Sequence, residues 1–255
     1  MSAVLCACGT IPYTNRHQLL LVSAGEETQL GLTSYQQALS QAKLSSDAQA
    51  TALVRRVGQR LAKAADKPDY KWEFNLIDDP KTVNAWCLPG GKVAVYSGIL
   101  PVTRDENGLA VVLSHEISHA LARHGAERMS QGLVAQLGGA ALSVAMSNSP
   151  GATQALAAQA YGAGAQVGVL LPFSRKQESE ADHIGLILMA KAGYDPANAV
   201  PFWERMAALA KGGGGLQRYL STHPPDAQRI ADIKRELPEA EGYYRKAQNL
   251  TDSPP

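Results

Sequence analysis

The sequence predicts an α+β fold, mainly α-helical, in which a small antiparallel sheet covers a buried central helix. Three observations predict it: helical spacing of apolar residues along most of the chain, a change to period two after Tyr70, and a Pro-Gly-Gly reversal inside that stretch. A single domain over residues 25–250, after a polar tether at 1–24, accommodates these elements.

Residues 26–42 and 47–65 come first, with Leu53, Val57 and Leu61 at helical spacing, and predict two amphipathic helices. Trp72, Phe74 and Leu76 then alternate with Lys71, Glu73 and Asn75 until Asp78-Asp79-Pro80, the pattern of a half-buried strand. Residues 83–87 and 92–96 flank Leu88-Pro89-Gly90-Gly91, where proline and paired glycines supply the angles of a tight hairpin. Thr103, three residues before Glu106, predicts a capping box for a helix through Leu109, Val112, Leu113, Ile117, Ala120 and Leu121.

Residues 131–170 are rich in Gly, Ala and Ser, and read equally as closely packed helices or as a mobile cover. Residues 174–191 predict a helix stopped by Gly193 and Asp195-Pro196, with another from Pro196 to Ala210. Gly212 to Gly215 predicts a break, and a last helix begins near Pro224-Pro225.

Composition removes several classes of function. With 24 basic and 23 acidic residues the net charge is +1, and no basic cluster is long enough to follow a phosphate backbone, so nucleic acid is not an expected partner. An apolar content of 45% in 255 residues is ample for a buried core. No apolar run reaches the ~20 residues of a spanning helix. The nearest, Leu133 to Met146, is interrupted by Gln136, Gly138, Gly139 and Ser143.

Three cysteines, Cys6, Cys8 and Cys87, make no spaced metal framework. The first residues lack the charged start and full apolar run of a secretory leader. Leu5-Cys6-Ala7-Cys8 nevertheless resembles the end of a bacterial lipoprotein signal, whose last cysteine is lipidated. Two readings stay open here: a lipid anchor on Cys8, or a chance apolar run.

His115-Glu116-Ile117-Ser118-His119 places two imidazoles at i and i+4, which a helix holds on one face within reach of one tetrahedral ion. Zinc lowers the pKa of a bound water, and Glu116 is placed to take that proton and return it to a leaving amine. The apolar residues Val111, Val112, Leu113, Ile117 and Leu121 argue for a buried motif, where polar groups without partners would be costly. A catalytic zinc site needs a third protein ligand. Glu178 and Asp182, at i and i+4 on a later helix, supply a ligand and a carboxylate to orient a ligating histidine; a solvated acidic face balanced by Arg175 and Lys176 is the alternative. His124 would lie half a turn out of line on the motif helix and is not counted, and His17 and His183 belong to no constellation.

In order, Asn84-Ala85-Trp86, Pro89-Gly90-Gly91, His115-Glu116-x-x-His119, Glu178-x-x-x-Asp182, Thr222-His223-Pro224-Pro225 and Arg229-Ile230 resemble metallopeptidase family forty-eight, the gluzincins that include HtpX, BepA and the CAAX prenyl protease. The resemblance covers roughly residues 25–235. It implies a zincin-like domain with one zinc ion per chain, ligated by His115, His119 and Glu178. Glu116 would be the general base and Asp182 the partner of a ligating histidine. Asn84 and Ala85 would lie on an edge strand that pairs with an extended substrate.

His223 matches a family histidine suited to stabilising the oxyanion, and in some relatives that histidine is thought to fill the open metal position in a latent enzyme. The lack of spanning helices favours the soluble or lipid-anchored bacterial envelope branch similar to BepA. The implied function is periplasmic cleavage of misfolded or unassembled envelope proteins, with outer-membrane association through Cys8. The competing expectation is a metal-stabilised, chaperone-like binding module for unfolded envelope proteins with little proteolysis.

Overall fold

A computed structural model describes residues 8–145, 147, 151, 175–210, 219, 223 and 227–251. Its first element corrects the tether. Strands β1 (Cys8–Thr10) and β2 (His17–Leu19) form an antiparallel hairpin, with Cys8 opposite Leu19 and Thr10 opposite His17. The intervening turn buries Ile11 completely beside Ala122 and Ile184, and Gln18 Nε2 donates to Ala122 O at 2.8 Å. Apolar burial and an interior hydrogen bond therefore dock a segment whose composition suggested free chain.

Helix α1 (Ala24–Ser40) starts at a Ser23/Glu26 capping box that the sequence reading passed over. Helix α2 (Ala48–Ala65) is capped by Asp47, whose carboxylate accepts from Ala50 N, and it turns Val54, Val57 and Leu61 fully inward.

The sheet contains β3 (Glu73–Ile77), β4 (Ala85–Leu88) and β5 (Lys92–Tyr96) in the order β3-β5-β4. The hairpin pair β4/β5 is antiparallel as expected, but β3 runs parallel to β5, so the sheet is mixed. The cause lies in residues 78–84. Asp79 accepts from Lys81 N, Thr82 N and Thr82 Oγ1, which turns the chain away from β3. It returns two strand positions away and the hairpin fills the gap. Gly90 and Gly91, with φ of +83° and +82°, make the reversal in a region that side chains disfavour.

After the short helix α3 (Leu100–Thr103), α4 (Glu106–Leu121) carries the histidine motif. Its cap is Asp105, which accepts from Gly108 N at 2.9 Å, rather than Thr103. Thr103 closes α3 by donating to Leu100 O, and Glu106 pairs with Arg56 instead of reaching back. Every residue of α4 from Gly108 to Leu121 is buried, with the sheet, α2 and α6 (Arg175–Lys191) packed round it. Helices α4 and α6 approach closely at Gly185, where a Cβ would stand 3.3 Å from both His115 N and Ser114 Oγ. One and two turns earlier on the same face of α6 lie Asp182 and Glu178, which this close approach carries to the histidines.

Helix α5 (His124–Ala145) takes up the first part of the small-residue stretch and leaves Leu133, Val134, Leu137 and Val144 exposed. Most of 146–170 lies outside the described residues, as do Gly212–Gly215 and Pro224-Pro225. A 3-10 turn at Pro196–Asn198, capped by Asp195, leads into α7 (Ala199–Ala210), and α8 (Ala227–Thr251) closes the fold. Among the described residues no helix is long and apolar enough to cross a membrane.

Candidate metal centre

Four side chains from three parts of the chain converge. His115, His119, Glu178 and His223 each offer a ligand atom, and these atoms lie within 4.8 Å of one another. The Nε2 atoms of His115 and His119 are 3.1 Å apart, and Glu178 reaches them at 3.4 and 3.3 Å. His223 Nδ1 is 3.1 Å from His115 Nε2 and 3.0 Å from Glu178 Oε2. Imidazole nitrogens and one carboxylate oxygen gathered this closely and buried are a donor set that fits a divalent transition ion.

The surroundings fix these groups. His115 Nδ1 is 2.9 Å from Asp182 Oδ1. Arg229 grips Asp182 through Nε at 2.6 Å and Nη2 at 2.7 Å, and brings Nη1 to 3.2 Å from Glu178. Its guanidinium lies over the Trp203 ring, 3.4 Å from the centroid. Glu178, Glu180 and Asp182 are only 5, 6 and 6% exposed, which removes the solvated acidic face as a reading.

Charge is distributed unevenly. Burial opposes ionisation of Glu178, but hydrogen bonds with three histidines outweigh it and hold the carboxyl far below the usual range. Burial pushes His119 well below the ordinary histidine value, so its neutral ring keeps a lone pair for a cation. At His115, burial and Arg229 disfavour charge, yet Asp182 and Glu178 prevail and raise the group to about 9; a proton there competes with a cation. Glu116 points a different way, with Oε1 at 3.5 Å from His223 Nε2, and burial lifts its carboxyl above the usual range.

The sequence reading leaves other parts of the site unplaced. Trp203 and Tyr219 are fully buried, and the Tyr219 ring is 4.7 Å from that of His223. Burial, with Glu116 nearby, pushes the Tyr219 hydroxyl well above its ordinary pKa. Trp203 sits on helix α7, where an aromatic residue reads as ordinary core, and spacing places neither it nor Tyr219 beside the histidines. His124 is neither on the motif helix nor out of range. Helix α4 ends at Leu121, Arg123 takes φ +57°, and the new helix turns the His124 ring to 5.0 Å from that of His119.

His17 is exposed and His183 pairs with Glu239, as expected of residues outside a constellation. Ala85, 2% exposed, starts the edge strand β4, and Asn84 precedes it with its carbonyl accepting from Tyr96 N. Neither is among the converging donors.

The profile described as Peptidase family M48 matches residues 48–237, well over half of the chain. This chain belongs to peptidase family M48. Among its relatives, the OMA1 proteins are named metalloendopeptidases and the Escherichia coli protein a protease. The chain is 39% identical over 241 residues to the mitochondrial metalloendopeptidase OMA1 of Schizosaccharomyces pombe, covering 91% of this chain and 67% of that protein. Human mitochondrial OMA1 is 30% identical over 255 residues, 96% of this chain and 48% of its own length. The β-barrel assembly-enhancing protease of Escherichia coli K12 is 31% identical over 220 residues, 84% of this chain and 44% of its own. The chain thus spans about half the length of most of these M48 relatives.

Proposed function

We propose that this chain is a zinc-dependent endopeptidase that hydrolyses internal bonds of unfolded or extended polypeptides, with His115, His119 and Glu178 as zinc ligands. The observation that carries the reading is the convergence of those three donors beside a buried Glu116 that is not among them. When bound, zinc supplies an acidified water and a Lewis acid for the scissile carbonyl. Glu116 takes the proton from the attacking water and delivers it to the leaving amine nitrogen, work suited to a carboxyl raised by burial. Asp182, held by Arg229, keeps His115 Nε2 turned toward the ion. Asn84 and the edge of β4 receive the substrate as an added strand.

His223 decides whether the site is open. With it counted, four protein donors surround one point, and a working zinc site keeps one position free. His223 therefore withdraws during turnover and offers its ring to the oxyanion, while its ligating position corresponds to a latent enzyme. The closed donor set also favours the second reading, a metal-stabilised binding module that holds unfolded protein and seldom cuts it. Incubation of the zinc-loaded chain with a reduced, unfolded protein separates the two. New internal cleavage that a chelator abolishes and zinc restores is expected; binding without cleavage at any zinc level would favour the module.

We further propose that the substrates are misfolded or unassembled proteins of the bacterial envelope, reached in the periplasm from an outer-membrane anchor on Cys8. The E. coli relative, named for β-barrel assembly, motivates that address, whereas the OMA1 relatives carry a mitochondrial one. Expressed from its own gene in a Gram-negative host, the protein is expected to take up radiolabelled palmitate and to lose the label in Cys8→Ser. An unlabelled wild type would remove the anchor.

A further inference from the structure

His115 is oriented by Asp182, but the second motif histidine has a different partner. His119 Nδ1 lies 2.9 Å from His124 Nδ1, and His124 is completely buried. On its far side, His124 Nε2 is 3.4 Å from Glu180 Oε2. Glu180 accepts from Arg16 Nε at 2.7 and 2.9 Å and from Thr14 Oγ1 at 3.3 Å. The other two guanidinium nitrogens of Arg16 donate to both oxygens of Glu127, at 2.5 and 2.7 Å, and Gln177 Nε2 also donates to Glu127. A continuous chain of polar contacts thus runs from His119 to the β1–β2 hairpin, which precedes the matched M48 region.

Chemistry gives that chain a direction. An imidazole that ligates through Nε2 carries its proton on Nδ1. The Nδ1 of His124 must then accept it, which puts the His124 proton on Nε2, facing the Glu180 carboxylate. Glu180 is in turn fixed by a guanidinium whose fork matches two carboxylates. The backbone is arranged for the same end: Arg123 is held in its left-handed conformation by Glu27 at 2.7 Å and Val22 O at 3.0 Å, and that turn delivers His124 to His119.

We propose that His124 is a positioning residue for the metal ligand His119, and that the β1–β2 hairpin sustains it through Arg16 and Glu180. This rests on the reading of His119 as a zinc ligand given above. Glu180 does for His119, through an interposed imidazole, what Asp182 does directly for His115. The N-terminal hairpin is accordingly part of the metal site.

The test is zinc affinity of the full chain by chelator competition, together with the absorption spectrum of the cobalt-substituted protein. His124→Leu removes the acceptor and is expected to weaken zinc binding by about 10- to 100-fold and to shift the cobalt bands. In His124→Asn the amide oxygen stands where Nδ1 stood, so affinity and spectrum are expected to return most of the way to wild type. Arg16→Met is expected to weaken binding by a smaller factor and shift the bands in the same sense.

Wild-type affinity and spectrum in His124→Leu would overturn the proposal, and so would a loss that His124→Asn fails to restore. If His124→Leu does not fold, Arg16→Met and Glu180→Gln decide, since unchanged zinc binding in both overturns the relay. His119→Ala tells the two failures apart. Unaltered zinc affinity there sinks the metal-site reading itself, whereas loss there without loss in His124→Leu sinks only the present inference.

Discussion

Glu116→Gln is expected to retain one zinc per chain while turnover of an unfolded protein falls by about 10²- to 10⁴-fold, the usual worth of a positioned proton carrier. The substitution keeps the shape of a side chain that is 5% exposed and sits outside the group of converging donors. It removes only the capacity to hold a proton. Burial raises the Glu116 carboxyl while His223 and His115 partly oppose the rise, so the group is readier than an exposed glutamate to accept a proton. Metal content by atomic absorption and cleavage rates on the same preparations make the comparison. Retained turnover in a metal-loaded variant would take Glu116 out of the base role. A wild type and variant that bind unfolded protein equally and leave it intact would instead favour the binding module.

The legible parts of the site and the hidden parts differ in a physical way. His115, Glu116 and His119 are local: their spacing on one helix fixes their relative directions, and the apolar flanks announce that the helix is buried. Glu178 and Asp182 share one face of α6 for the same reason, and the need for a third ligand joined that helix to the motif helix before the family resemblance did. Their actual junction depends on Gly185, whose missing side chain leaves no pattern to read. Strand existence was equally plain, but the parallel pairing of β3 with β5 was not, because it depends on where the 78–84 connection returns.

Residues that act through a broken rule were the hardest. His124 is out of line on an unbroken helix and in line only because Arg123 adopts positive φ, a conformation that an arginine in the sequence does not advertise. Arg16 looks like an ordinary tether residue until Glu127 and Glu180 are seen to need a cation. Such tertiary compensation has no period, and sequence spacing cannot carry it.

Glu178→Gln is expected to abolish the effect of zinc on thermal unfolding. In the wild type, zinc at about 1,000 times its dissociation constant stabilises the folded state by about 4 kcal/mol, provided that it binds the unfolded chain little. For a chain of this size that corresponds to roughly 8–16 °C in Tm, so chelation should be plain in a melting curve. Glu178 touches His115, His119, His223 and Arg229 at once, and it is the one carboxylate in the donor group. An amide of the same shape preserves packing but offers a neutral, weaker donor to a divalent ion, and it removes the Glu178 charge opposite Arg229 Nη1.

Loss of affinity should therefore exceed the roughly 10- to 100-fold that an outer partner such as Asp182 is worth, and Asp182→Asn provides the internal standard. Melting curves of wild type, Glu178→Gln and Asp182→Asn across a zinc titration make the measurement. The same zinc-dependent shift in Glu178→Gln as in the wild type would mean that the ion is held without Glu178, and the third ligand would have to be His223. A shift lost in Glu178→Gln and only weakened in Asp182→Asn would give the two carboxylates of α6 their separate roles, one on the ion and one behind His115.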